Sequence, residues 1–128
     1  MPRGDTAPHP GGGAISIVGL RKALVLPMQQ QGWGWLIRQR MSVVKEALTD
    51  EAGPAAEAWL AARQGSLLRE RNALLAQLAT LGPLVLEGND RDALRNRLLR
   101  LVHDLERHRQ RLSDLLYDSV ALELGGSE

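Results

Sequence analysis

Leu94-Arg95-Asn96-Arg97-Leu98-Leu99-Arg100-Leu101-Val102-His103-Asp104-Leu105-Glu106-Arg107-His108-Arg109-Gln110-Arg111-Leu112-Ser113-Asp114-Leu115 decides the fold, together with its continuation to Leu122. Leu94, Leu98, Leu101, Leu105, His108, Leu112, Leu115, Ser119 and Leu122 are separated alternately by four and three residues, and seven of these nine are leucine. A repeat averaging 3.5 residues holds one narrow apolar seam on one helix face, the pattern that makes helices wind around each other. The sequence therefore predicts a coiled-coil element.

Upstream, Leu60, Leu67, Leu74 and Leu81 recur every seventh residue, flanked by Leu68, Leu75 and Leu78. They predict a second long helix that opens at Pro54, where proline suits a first helical position, and stops at Gly82-Pro83. Leu84-Val85-Leu86 reads as a short apolar strap, and Asn89 or Asp90 caps the helix that follows, which ends at Gly125-Gly126. A link this short between two long helices makes them antiparallel. The expected register puts Leu74 near Leu98, Leu67 near Leu105, Leu60 near Leu112, and Gln64 opposite His108. Gln64 and His108 thus form a polar layer within a leucine seam, where they hydrogen-bond each other. Burial of a neutral His108 lowers its pKa below the unfolded value of about 6.5, with Asp104 one turn earlier pulling the other way.

Composition agrees with an all-α class. Phenylalanine and cysteine are absent and tyrosine occurs once, so the core is aliphatic, whereas strands favour β-branched and aromatic residues. With no cysteine there is neither a disulfide nor a thiolate metal site, which fits a reducing, cytoplasmic setting. Arg3, Arg21, Lys22, Arg38 and Arg40 face Asp5 alone in residues 1–40, whereas residues 41–128 hold 11 basic and 14 acidic groups. The helical part is no nucleic-acid polycation.

Residues 1–40 read as a disordered or artefactual N-terminal arm. Pro2, Gly4, Pro8, Pro10 and the Gly11-Gly12-Gly13 run punctuate its start. The apolar stretch from Ala14 to Leu26 is broken by Arg21 and Lys22, so it is too short and too charged to span a membrane. Trp33 and Trp35 beside basic residues offer a peripheral membrane contact, as an alternative to packing on the hairpin. Composition, charge and periodicity change at Met41, with Ser42 placed to cap a short helix over Val43–Ala52. A chain beginning at Met41 is therefore expected to keep its helicity. The domain reading is an arm over 1–40, a helical hairpin over 41–124 and a flexible tail over 125–128.

No residue pattern points to catalysis. The serines lack a nucleophile-elbow context, and the glycine run lacks the Lys-Ser/Thr of a phosphate loop. His103, Asp104, Glu106 and His108 form the one cluster with ligand chemistry, but without the Glu-x-x-His unit of di-iron bundles. Arg97, Arg100, Arg107 and Arg111 align on one flank, interleaved with Asp104, Asp114 and Asp118 in a way that suits local ion pairs rather than phosphate binding. The expectation is a protein without enzymatic activity, cofactor or metal.

The ending Gly125-Gly126-Ser127-Glu128 loosely resembles the prokaryotic ubiquitin-like protein, but Ser127 parts the glycine pair from the terminal carboxylate. The run from His108-Arg109-Gln110-Arg111-Leu112 through Tyr117-Asp118 to Glu128 resembles the ends of small uncharacterised actinobacterial helical proteins. That resemblance implies a high-G+C bacterial origin, as does the excess of 14 arginines over 2 lysines, and it supplies no activity.

The hairpin's apolar stripe is wider than one partner helix can cover, because Leu68, Leu75, Leu99, Val102 and Leu116 flank the seam. A further layer is needed. The sequence thus predicts a helical hairpin that self-associates, most simply as a homodimer forming a four-helix bundle, and acts as an assembly or adaptor module. The alternative is a regulatory or chaperone-like binder whose stripe receives an amphipathic partner helix.

Overall fold

The computed structural model describes residues 12–50, 65–87 and 90–126. Among them the protein is all α, with four helices and no strand: α1 (Gly12–Leu24), α2 (Trp33–Asp50), α3 (Gly65–Val85) and α4 (Arg91–Gly126). No helix among the described residues is long and apolar enough to cross a membrane.

Residues 12–40, expected to be a disordered or artefactual arm, instead form α1 and the first turns of α2. Ile17, Leu20, Ala23 and Leu24 lie on one face of α1 and are buried. Arg21 and Lys22 fall in its last turn, where positive charge complements the helix dipole. Pro27 then prevents continuation. Two tight turns follow, in which Gln30 N–H donates to Pro27 O and Trp33 N–H to Gln30 O, each at 3.1 Å. Gly32 takes φ +82°, a left-handed conformation that side chains with a Cβ rarely adopt. Its carbonyl accepts the first α2 bond, from Leu36 N–H at 3.0 Å. Ser42, expected as an N-cap, lies in the middle of α2.

Trp33, Ile37, Met41, Val44 and Leu48 form the buried face of α2. Gly34 is a close-approach position: a Cβ there would sit 3.1 Å from Leu86 Cδ2 and 3.4 Å from Val85 O. Met41 is 4% exposed, so the compositional break at that residue falls inside the core. Residues 1–11 and the expected helix start at Pro54 lie outside the described residues.

α1 packs beside α2 and α4, and α3 packs beside the same two, which closes a four-cornered bundle. Neighbours run antiparallel. Arg38 and Lys45 of α2 border the same groove as Gly82 and Leu78 of α3, while Leu84 and Thr80 of α3 lie beside Leu94 and Arg97 of α4. The main core draws on all four helices and includes Leu20, Trp33, Val44, Leu78, Val85, Leu98, Val102 and Leu105. The additional layer that the α3–α4 pair requires therefore comes from α1 and α2 of the same chain. Of the residues flanking the seam, Val102 is buried and Leu75 and Leu99 pack against this core, whereas Leu116 is exposed.

The pairing of α3 with α4 differs in register from the expected one. Leu67 packs with Leu112 and Leu115 rather than Leu105, and His108 meets Glu70; Leu60 and Gln64 lie outside the described residues. The cause is the end of α3. It runs through Pro83 to Val85 instead of stopping at Gly82, because a proline in a last turn forfeits one N–H bond while Val85, 0% exposed, anchors the turn in the core. The reversal point moves toward α4, and every facing pair shifts with it. Asp90 caps α4 as expected, its Oδ1 accepting from Ala93 N–H at 3.1 Å.

A chain beginning at Met41 lacks Ile17, Leu20, Leu24, Trp33 and Ile37, and should lose its cooperative thermal transition by circular dichroism. Truncating Leu98 to alanine, at 0% exposure, should cost about 2–5 kcal/mol in urea unfolding, and Trp33→Ala about 3–5 kcal/mol.

Candidate functional site

Side-chain chemistry in this bundle is concentrated on α4, whose polar residues reach to three different neighbours. Deepest is His108. Its ring is 1% exposed, and Nδ1 lies 2.7 Å from Glu70 Oε1 on α3. The second Glu70 oxygen accepts from Arg111 Nη1, also at 2.7 Å. One carboxylate thus bridges a buried imidazole and a half-exposed guanidinium; Gln64, the partner expected for His108, lies outside the described residues. A ring so enclosed offers no free edge to a substrate, so the group acts as a polar clamp between α3 and α4.

Glu106 faces the other way, toward α1. Arg21 donates to it through both Nε, at 2.9 Å, and Nη2, at 2.8 Å, in a two-pronged pair. The hydrogen bond with Glu106 raises the Arg21 pKa above its already high ordinary value. At the start of α4, Arg91 Nη1 donates to Met28 O at 2.7 Å, and its guanidinium stacks 5.6 Å from the centre of the Trp33 ring. Trp33 and Trp35 therefore have separate fates: Trp33 is 2% exposed and Trp35 is 71% exposed.

The cluster read from the sequence as His103, Asp104, Glu106 and His108 is dispersed by these contacts. Glu106 turns to α1, His108 to α3, and His103 is exposed. Among the described residues no group of three or more His, Cys, Asp or Glu side chains could hold a metal ion. The arginine flank is divided likewise. Arg111 joins Glu70, while Arg97 and Arg100 edge a groove between α3 and α4 that also contains Asp104, Gln77 and Thr80. Asp104 leaves that groove mixed in charge. Gln110 Nε2 donates to Asp114 Oδ1 at 2.9 Å, one turn along the helix.

Of the seam residues, Leu67, Leu74, Leu81, Leu94, Leu98, Leu101, Leu105 and Leu112 are buried and Leu115 is half-buried. The side chain of Leu122 lies outside the described residues. These leucines pack within the chain, so they do not themselves form a free self-association surface. The residues missed by the sequence reading are Glu70 and the core faces of α1 and α2. For α2 a signal existed: Trp33, Ile37, Met41, Val44 and Leu48 are spaced by four, four, three and four, a helical stripe crossing the supposed boundary.

No protein-family model, curated protein or solved structure matches the chain.

The clamp can be tested by a double-mutant cycle. Glu70→Ala removes an acceptor from a buried ring and should destabilise the fold by about 1–3 kcal/mol. In a His108→Leu background the same change should cost clearly less, because only the exposed Arg111 contact is then lost. Equal costs in the two backgrounds, measured by chemical denaturation, would show that Glu70 and His108 are not coupled.

Proposed function

We propose that this protein is a non-enzymatic helical assembly or adaptor module that self-associates as a homodimer through the far end of α4. The observation that carries this reading is the second apolar cluster. Leu67, Leu112 and Leu115 pack together apart from the main core. Beside them Leu116 is 47% and Tyr117 74% exposed. The first turns of α1 lie against Arg109 and Ser113, yet α4 continues to Gly126. Beyond Ser113 the helix runs 13 residues further, about 20 Å at 1.5 Å per residue.

A helix that extends past its described neighbours with Leu116 and Tyr117 exposed suits a second copy of itself. Two such ends can pack antiparallel about a two-fold axis, with coiled-coil spacing from the leucine repeat. A cytoplasmic setting in a high-G+C bacterium fits the absence of cysteine and the arginine excess. The second reading is a regulatory or chaperone-like binder of an amphipathic partner helix. It draws on the groove between α3 and α4, where Leu81 and Leu101 lie between Arg97, Arg100 and Thr80.

Size-exclusion chromatography with light scattering tests the dimer on the full chain. The expected mass is twice the 14.0 kDa of one chain, reverting to one when Leu116 and Tyr117 are both replaced by glutamate. A monomer at high micromolar concentration rules out self-association and leaves the partner-helix reading.

A further inference from the structure

We propose that the outer face of the α1–α2 pair is a docking surface for an anionic lipid bilayer, lying flat against its headgroup layer. Two independent features of residues 12–45 coincide there. The first is apolar exposure. Of the nine large hydrophobic side chains exposed among the described residues, six belong to this segment: Ile15, Val18, Val25, Leu26, Trp35 and Val43. Ile15, Val18 and Lys22 stand on the side of α1 opposite its buried Ile17, Leu20 and Leu24, at spacings of three and four residues, and exposed Val25 follows the helix end. Trp35 points away from the core that holds Trp33 and Ile37.

The second feature is charge. α1 and α2 hold Arg21, Lys22, Arg38, Arg40 and Lys45 against Glu46 and Asp50, two acids in the C-terminal part of α2. Arg21 is tied to Glu106; the other four are exposed, Lys22 and Arg40 on the α1–α2 side and Arg38 and Lys45 at the edge that borders α3. α3 and α4 carry no comparable excess of basic residues. A surface that joins single apolar side chains, an exposed indole and an excess of cations is complementary to a bilayer bearing anionic headgroups.

The two helices present this chemistry together. They are antiparallel, and a Cβ on Gly19 of α1 would lie 3.8 Å from the Arg40 side chain of α2. That register brings Ile15 level with Val43 at one end and Val25 level with Trp35 at the other. Apart from Val18, which also borders the groove between α1 and α4, the apolar residues stand on outward sides rather than in a groove. A partner helix seeks a groove, whereas a bilayer accepts a convex face and admits each side chain separately among its headgroups.

Co-sedimentation of the full chain with vesicles of phosphatidylcholine and phosphatidylserine tests the proposal, with phosphatidylcholine alone as the reference. Binding should appear only with the anionic lipid and weaken with added salt. Each basic residue near such a surface contributes about fivefold to affinity, so Lys22→Glu with Arg40→Glu should reduce binding by at least tenfold. Trp35→Ser should reduce it independently, and both variants, altered only at exposed positions, should keep the native melting temperature. Replacing Leu116 and Tyr117 should leave vesicle binding intact, so this surface and the α4 assembly surface fail or succeed separately. The proposal is overturned by absent sedimentation with anionic vesicles, or by binding indifferent to the charge reversals or to Trp35→Ser. It is equally overturned if the chain ignores vesicles but binds saturably to an acidic leucine-glutamate amphipathic peptide through the same residues, which would make the face a protein-docking site.

Discussion

Leu101 and Val102 are consecutive residues of α4, and they are 1% and 0% exposed. Successive side chains on an α-helix point about 100° apart, so no single neighbour can cover both. Burying the pair requires helices on two sides of α4, and α3 and α1 take those places. Once both are docked, α2 fills the remaining corner through Trp33, Ile37, Met41 and Val44, touching α1 on one side and α3 on the other. The square arrangement thus follows from the width of one apolar stripe. From the sequence alone the same width points to a dimer, because residues 1–40 read there as an arm outside the helical domain.

The parts of the fold legible in the sequence were those built from leucine at regular spacing over many turns. The α4 seam is of this kind, as is the run Leu67, Leu74, Leu81 of α3, and Asp90 announced the start of α4 by its chemistry. α1 was hidden because it has only 13 residues and because Ile15 and Val18 on its outer side blur the contrast between faces. α2 was hidden by Gly32 and Gly34, which resemble linker residues but serve a left-handed turn and a close contact with Leu86. Glu70 was not identifiable as the partner of His108. That pairing depends on how far α3 continues past Pro83, which is set by the burial of Val85 rather than by local sequence.

Apolar faces alone would tolerate sliding of one helix along another. The polar contacts suppress it. Arg21–Glu106 ties α1 to α4, which share no loop, and Glu70 holds α3 and α4 far from the turn that joins them. Arg91 fastens the beginning of α4 to the α1–α2 turn through Met28 and Trp33. The Arg21 and Glu106 side chains are 44% and 40% exposed, so the pair adds at most about 1 kcal/mol. Its value is in fixing registration, since only one alignment satisfies both prongs.

The two ends of the Arg21–Glu106 contact are separated by 85 residues of chain, and this imposes an order on events during synthesis. The N-terminal helix leaves the ribosome long before its mate on α4 is made. At translation rates of about 5–20 residues per second, roughly 4–17 s pass before the segment carrying Glu106 can emerge. Until α2 emerges to cover it, α1 is apolar on both sides, with Ile17, Leu20 and Leu24 uncovered as well as Ile15 and Val18, and until α4 emerges only α2 can shield its inner face. A nascent chain in this condition is vulnerable to misassociation with its neighbours on the same messenger. It is also best able to engage whatever apolar surface is nearest before its own core closes.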